Sequence, residues 1–386
     1  MTRTALATAL GCLGALATAH AAEYSLEPSV TARAEHNDNI RMTTAPHDSV
    51  SGASLRPSLK LKYATEITEL SGTGSVNFRR YSRETELNAT DVFLNGLARR
   101  QFATGSLGLS ADYTRDSTLG TELQETGLVL TRKQRNRVNL RPDWTWQMTE
   151  RSALSLGYQY TDVSYQDGQG AGLLDYRNHA VFSSLQHNLS ARDQVTGTLM
   201  YQQYKPSPST QQADTTSLQA SYTRLFSETL RGTAGVGVAR IESQGLPTGD
   251  RSTTRSLGNL SMDKQFETGM MSARVSREVA PSGSGGLAQT DRAGLEWTGK
   301  LQETLSLRLA GAAYRTRFVD VTGFGSNNST YYQFEPRLTW NATREWALET
   351  GYNYARQKYE LNPTAATGNT VYVNAIYNWP KQAISR

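Results

Sequence analysis

The feature that most constrains this chain is an alternation of apolar and polar residues that recurs from residue 24 to residue 380. Successive side chains of a β-strand point to opposite sides of the sheet, so a period of two places each set on its own face. The pattern is clearest in the segments 54–63, 137–146, 346–354 and 371–379. It predicts strands along nearly the whole chain.

The connections between these segments alternate in length. Short periplasmic turns and longer outer loops are typical of outer-membrane barrels, and counting the segments between them predicts about 18 strands with both termini on the periplasmic side. The stretch 116–136 is interpreted as one long loop, although 126–131 could add strand. The short connections are 65–66, 149–151, 227–229, 267–268, 303–304 and 342–344, and the longer ones are 37–50, 166–174, 206–213, 244–251, 281–288, 323–328 and 361–368.

Hydropathy is compatible with this interpretation. The mean hydropathy is −0.54, and no apolar run after residue 21 approaches the ~18 residues that a membrane helix needs. A barrel strand shows lipid only every second residue, so its apolar content is diluted by polar groups facing the lumen. The predicted fold is an all-β, transmembrane, antiparallel β-barrel, since closure pairs every edge amide in the bilayer. The alternative is a secreted, soluble β-sandwich or β-helix.

The first residues predict export. Arg3 supplies a positive charge, residues 5–19 are almost wholly apolar or small, and Ala19-His20-Ala21 offers an A-x-A cleavage site. Residues 1–21 are therefore predicted to be a signal peptide and 22–386 a single barrel domain. In the alternative, Cys12 is a lipidated cysteine, which leaves only a short apolar region. Cleavage removes Cys12, the only cysteine, and with it any disulfide chemistry.

Aromatic residues are numerous for so polar a chain: 19 Tyr, 9 Phe and 6 Trp. Amphipathic rings at headgroup level form the girdles of outer-membrane barrels, and cross-strand aromatic packing is the alternative explanation. The girdle candidates are Tyr24, Tyr81, Trp144, Trp146, Tyr160, Tyr165, Tyr201, Tyr204, Tyr222, Phe266, Trp340, Trp346 and Trp379.

Charged residues predicted to face inward are the best candidates for function. Lumen charges tune which solutes pass, although such charges can also simply solvate the wall or neutralise their neighbours. The net charge of +5 is interspersed along the chain, so no block of like charge indicates a nucleic-acid partner. The candidates for lining the channel are Arg56, Lys60, Lys62, Arg137, Arg141, Asp143, Arg292, Glu296, Lys300, Glu335, Arg337 and Glu349.

Motifs for catalysis, cofactors and metals are absent. No G-x-S-x-G, Walker loop or metal-ligand His spacing occurs, so no catalytic, cofactor or metal site is predicted. Two weak alternatives are a nucleophilic site made by His187 with Ser184 or Ser190, and a hard-cation loop at His36-Asn37-Asp38-Asn39.

Several short motifs along the chain are shared with a known group of barrels. They are Pro28-Ser29-Val30, His36–Ile40, Leu55–Leu59, Thr126–Val129, Leu140–Trp144, Met148–Arg151 and Asp175–Arg177. On these motifs the chain resembles the EpsL-type proteins encoded beside bacterial exopolysaccharide loci and is similar to the wider class of β-barrel porins. This resemblance implies a role in passing a secreted polysaccharide across the outer membrane. One departure is that residues 380–386 follow Trp379, whereas many barrels end on an aromatic residue.

We therefore expect an outer-membrane channel without cofactor that takes part in exopolysaccharide export. Its expected partners are outer-membrane lipid, the polysaccharide and periplasmic export components, with no nucleic acid. The alternatives are a non-conducting scaffold barrel of a polysaccharide-export assembly and a barrel hydrolase that depends on His187.

Overall fold

In a computed structural model, the alternating segments form antiparallel strands that follow one another around a single sheet. The structure describes residues 22–118, 133–246, 249–319, 328–362 and 364–385. The predicted signal peptide and the possible strand 126–131 lie outside these ranges. The strands are β1 (Glu23–Asn37), β2 (Val50–Ala64), β3 (Thr68–Tyr81), β4 (Ala89–Phe102), β5 (Gly105–Ser117), β6 (Gln134–Gln147), β7 (Ser152–Tyr165), β8 (Asp175–Asn188), β9 (Asp193–Ser207), β10 (Gln212–Ser227), β11 (Leu230–Gln244), β12 (Arg251–Gln265), β13 (Gly269–Pro281), β14 (Leu287–Lys300), β15 (Leu305–Val319), β16 (Ser329–Asn341), β17 (Trp346–Tyr359), β18 (Ala366–Asn378) and β19 (Gln382–Ser385).

The sheet closes on itself between the first and last long strands. Residues Ser29–Asn37 of β1 pair with Thr370–Asn378 of β18, which joins eighteen long strands into a barrel. The short β19 continues this seam, since Gln382–Ser385 pairs with Glu23–Leu26. The residues after Trp379 thus complete the pairing of β1. Among the described residues, no helix is long and apolar enough to cross a membrane.

The two faces of the sheet differ as the alternation predicts. Large apolar side chains are exposed on the outer face, with Leu61 at 51% and Leu295 at 54% exposure, while charged and amide side chains pair on the inner face. Trp340 and Tyr332 on β16 lie near opposite ends of the outer face, separated by roughly 27 Å of strand. Allowing for tilt, this spacing matches the apolar band of an outer-membrane barrel, about 25 Å tall.

Three girdle candidates do not face lipid. Tyr81, Tyr165 and Tyr204 are buried on the inner face. Their position near a strand end does not determine which face of the sheet they occupy, because a shift of one residue moves a side chain from the outer face to the inner face. The predicted loop 116–136 is also too long, because Asp116 and Ser117 end β5 and residues 134–136 begin β6.

The wall separates at one place. Only residues 258–265 of β12 pair with β13, opposite residues 270–277. The rest of β12 pairs with β11 alone. Beyond Arg277, β13 pairs only with β14. The upper ends of β13, β14 and β15 then turn inward, because Leu287 and Val319 pack against Ile241 of the inner face. The inward turn leaves a dent in the outer surface beside β12.

Candidate functional site

The inner face carries every charged residue that the sequence predicts to line a channel. Strand register places them there because each one pairs across the sheet with another inward residue, as Glu296 pairs with Ser272 and Glu349 with Asn374. They are Arg56, Lys60 and Lys62 on β2, Arg137, Arg141 and Asp143 on β6, Arg292, Glu296 and Lys300 on β14, Glu335 and Arg337 on β16, and Glu349 on β17.

Glu335 is the centre of a network that joins five strands, β14 to β18. Its carboxylate accepts a hydrogen bond from Arg337 at 2.6 Å and another from the Tyr372 hydroxyl at 2.6 Å. Arg308 lies 3.8 Å from the same carboxylate and binds Glu296 at 2.8 Å. Glu349 lies 3.5 Å from Arg337. The structure therefore brings together four of the predicted residues, Glu296, Glu335, Arg337 and Glu349, on the wall from β14 to β18, and Arg308 completes an alternation of charge sign among them.

Arg33 carries the network across the closing seam into β1. Its guanidinium lies 3.8 Å from the centre of the Tyr372 ring, and its Nε donates to Glu35 at 2.7 Å. Glu35 also accepts from the Tyr81 hydroxyl of β3 at 2.8 Å. Arg79 then pairs with the buried Asp91 of β4 at 2.8 Å. We call the wall from β14 through β18 and β1 to β4 the charged wall.

The wall from β7 to β11 is mainly neutral and rich in amides and hydroxyls. Asn139 accepts hydrogen bonds from the Gln159 amide and the Thr161 hydroxyl, both at 3.0 Å. Ser184 bonds Thr198 at 2.9 Å, and Gln219 donates to Asn259 at 2.7 Å. Such groups offer both donors and acceptors to a hydroxylated solute.

The remaining predicted residues lie outside the network around Glu335. Arg141 lies over the Phe182 ring at 4.6 Å, Arg56 over Phe93 at 5.1 Å, and Lys62 approaches Glu69 at 3.6 Å. Arg292 faces Tyr314 at 4.9 Å. The other predicted residues, Lys60, Arg137, Asp143 and Lys300, also belong to the inner face.

The loop 38–49 after β1 narrows the lumen beside the charged wall. The Asp38 carboxylate accepts from the backbone and side-chain nitrogens of Asn369, at 2.7 and 2.6 Å. Met42 packs against Tyr331, and Arg41 donates to Glu84 at 2.6 Å, a bond that raises the pKa of Arg41. A cavity of about 270 Å³ remains between this loop and the charged wall.

An apolar cluster closes part of the outer mouth. The Tyr204 hydroxyl donates to the backbone oxygen of Ser282 at 2.7 Å, and the Leu174 amide donates to Gly283 at 2.7 Å. These bonds hold the β13–β14 hairpin to β9 and to the loop after β7. We call this set the mouth cluster; its members are Val163, Tyr165, Leu173, Tyr176, Tyr204, Ala213, Ile241, Leu287 and Val319.

The weaker chemical alternatives find different partners. His187 lies on the outer face and bonds the Ser152 hydroxyl at 2.9 Å, whereas Ser184 faces inward and Ser190 bonds Asp193 at 2.6 Å. His187 is therefore separated from both serines proposed for it. Across the described ranges, no cluster of three His, Cys, Asp or Glu side chains is arranged to hold a metal ion.

Sequence reasoning missed Tyr372, Arg308 and Glu35 as parts of the network, and it missed the inward turn of β13 to β15. The alternation itself places Tyr372 on the polar face of its segment, with Thr370 and Asn374, so an inward tyrosine was a usable signal. For the inward turn, the available signal was charge on the lipid-facing set, at Arg277 of β13 and Asp291 of β14.

No protein-family model matches the chain, and no curated protein matches it. Among solved structures, it is similar to OccAB4 of Acinetobacter baumannii, with 8% identity and a TM-score of 0.50 over 94% of this chain and 98% of that one. OccAB2 of the same organism and OccK2 (OpdF) of Pseudomonas aeruginosa each give 9% identity and a TM-score of 0.50, over 92% of this chain and 98% of theirs. The likeness concerns the fold, a closed porin-type barrel of 18 strands.

Proposed function

We propose that this protein is an outer-membrane channel that passes hydrophilic solutes. One observation carries the proposal: a closed barrel has an apolar outer face and an inner face lined with charged and amide side chains. A barrel of sixteen to eighteen strands is too wide for its side chains to fill, so water occupies the lumen. The proposed channel uses no cofactor and no covalent step.

The finer proposal is that the cargo is an exopolysaccharide on its way out of the cell. The resemblance to EpsL-type proteins supports it, and so does the lining. A polysaccharide offers many hydroxyls and little charge, which suits the neutral amide wall. The inward ring of Phe182 adds a flat apolar surface beside those amides, and Phe93 and Tyr372 add similar surfaces on the charged wall.

The channel, its polysaccharide cargo and its outer-membrane location are tested by separate experiments. Single-channel recording of the purified mature protein in a planar bilayer is expected to give stable conducting steps, and a protein that never conducts would refute the channel. Deletion of the gene is expected to reduce surface polysaccharide, and unchanged export would refute the finer proposal. Cell fractionation with N-terminal sequencing, expected to start at Ala22 or Glu23, tests the outer-membrane location.

A scaffold is the second candidate function, and the mouth cluster favours it. Ile241 is fully buried and Tyr204 is 1% exposed, so this side of the mouth holds no water-filled path in the conformation described. A barrel closed in this way could dock periplasmic export components without conducting. Conductance that stays absent even when the mouth cluster is disrupted would favour the scaffold over the channel.

A further inference from the structure

The dent in the outer surface contains a cation-rich cavity of about 900 Å³. It opens where β12 and β13 separate, and its lining includes the outward cations Arg277, Arg315 and Lys358 and the carboxylates Asp291 and Glu360. A fourth lining cation, Arg292, directs its guanidinium to the inner face, over Tyr314.

Three of these cations stand on one cross-strand row of the outer face. The row runs from Arg277 to Asp291, Arg315, Thr330 and Lys358, each paired with the next across β13 to β17. Arg315 and Lys358 are two strand spacings apart, about 10 Å. Thr330 lies between them and adds a hydroxyl. Two anionic groups of one ligand can therefore meet two cations.

The one carboxylate of the row is already neutralised. Asp291 accepts from Arg277 at 2.5 and 3.0 Å and from Arg317 at 2.6 Å. In contrast, Arg315 and Lys358 are exposed and form no side-chain hydrogen bond or ion pair within the described ranges. Their charges remain available to a ligand.

An apolar groove of about 630 Å³ continues directly below the cations. Its floor is made of small residues, Ala293, Ala313 and Gly311, and exposed Leu260 and Val275 flank it. Ala293, Ala313, Leu260 and Val275 line both the groove and the cation-rich cavity. The groove runs down the outer face into the apolar band, where an acyl chain would lie.

The row also stands at the height of lipid headgroups. Thr330 lies one inward–outward repeat beyond Tyr332, which marks the outer aromatic level on β16. Arginine and lysine bind phosphate through short charge-assisted hydrogen bonds. A phosphate group on the cation row and an acyl chain in the groove below it belong to one kind of ligand, a phosphorylated lipid.

We propose that this dent binds a diphosphorylated glycolipid of the outer leaflet, with its phosphates on Arg315 and Lys358 and an acyl chain in the groove. The inference rests on the outer-membrane location proposed above, but it does not depend on conductance. The site holds the lipid on the wall beside the inward-turned strands β13 to β15, so the bound headgroup supports the bent part of the barrel from outside.

The test measures binding of diphosphoryl lipid A to the purified full barrel in a neutral detergent by native mass spectrometry. Arg315→Glu with Lys358→Glu is expected to weaken binding at least about tenfold, since two charge-assisted contacts are reversed. The matched control is Arg177→Glu with Lys205→Glu, a cross-strand cation pair on the outer face of β8 and β9 away from the dent. This control is expected to bind like the parent.

Two further comparisons separate the halves of the site. A glycolipid with the same acyl chains but no phosphate is expected to bind about tenfold more weakly to the parent. Ala313→Trp, which fills the groove without changing charge, is expected to weaken binding of the full lipid. If the charge-reversed barrel does not fold, Arg315→Gln with Lys358→Gln replaces it.

Equal binding by the parent and the charge-reversed barrel would overturn the inference, as would equal loss in the matched control. A change in oligomeric mass on charge reversal, with lipid binding unchanged, would assign the dent to a second copy of the chain instead. If the parent protein binds the lipid but does not conduct, the proposed channel is refuted and the proposed lipid site is not.

Discussion

The ring of Tyr372 occupies the space beside Gly351 that a side chain at that position would fill. The two residues are direct cross-strand partners on β18 and β17. Because Gly351 has no Cβ, the ring can lie against the inner wall and aim its hydroxyl at Glu335. A glycine in a central strand usually weakens it, and here it makes room for the aromatic residue that links the charged wall.

Replacing Gly351 with valine is expected to displace Tyr372 and destabilise the barrel by about 1–3 kcal/mol, the usual cost of overpacking. Urea unfolding in lipid vesicles, followed by the loss of heat-modifiable migration on gels, measures this change. Gly197→Ala is the matched control, because nothing lies within 4 Å of the Cβ that it adds. Equal stability of the two variants would contradict the role of Gly351.

Glu335→Gln is expected to shift the channel toward anions. The substitution removes the negative charge that Arg308 and Arg337 share, so both guanidiniums gain influence over passing ions. The reversal potential in a salt gradient measures the shift. Glu303→Gln, in the exposed turn between β14 and β15, should leave selectivity at the parent value. An unchanged reversal potential in Glu335→Gln would argue that the charged wall does not line the conducting path.

Ile241→Ala is expected to loosen the mouth cluster and raise open probability. Removing a fully buried isoleucine side chain costs about 2–5 kcal/mol of packing energy. Single-channel recordings should show longer or larger openings than the parent. Val236→Ala on the same strand is the control, because Val236 is 72% exposed on the outer face. Identical gating in all three proteins would count against a closing role for the cluster.

Leu295→Arg tests whether the outer face lies in lipid. Leu295 stands on β14 between Lys300 at the short-turn end and Asp291 in the cation row, and it is 54% exposed. A cationic residue near the bilayer midplane of such a barrel costs about 2–4 kcal/mol. Thr298→Arg on the inner face should cost much less, because water fills the lumen. Equilibrium folding into vesicles compares the two, and equal costs would favour a soluble fold.

The sequence was sufficient to predict the strands and their faces because both follow from a period of two, and closure was predicted from the need to pair edge amides in a bilayer. Glu296 and Arg337 could be placed inward from alternation alone, since register is fixed wherever one face is apolar. Pairing across strands was not predictable. Arg33 meets Tyr372 only because β1 and β18 share the closing seam, and nothing local to either residue encodes that contact.

The places where the wall departs from an ideal barrel could not be located from the sequence either. Val279 and Leu287 continue the alternation, yet they pack in the mouth instead of facing lipid. Their position depends on where β12 stops pairing with β13, which is set by tertiary structure and not by the local sequence. The cations Arg277, Arg315 and Lys358 on the lipid-facing set were the visible anomaly, because lipid-facing charge is costly unless it lies at the membrane surface.

The seam between β1 and β18 makes assembly an end-to-end event. Asn37 bonds Thr370 across 333 positions of sequence, so the first strand must keep an unpaired edge until the last one has been delivered. Contacts between distant segments form slowly, and an open strand edge invites pairing with other chains. We expect such a chain to depend on chaperones until its last strand is available to pair, and removal of its final seventeen residues to leave an open sheet that is prone to aggregation.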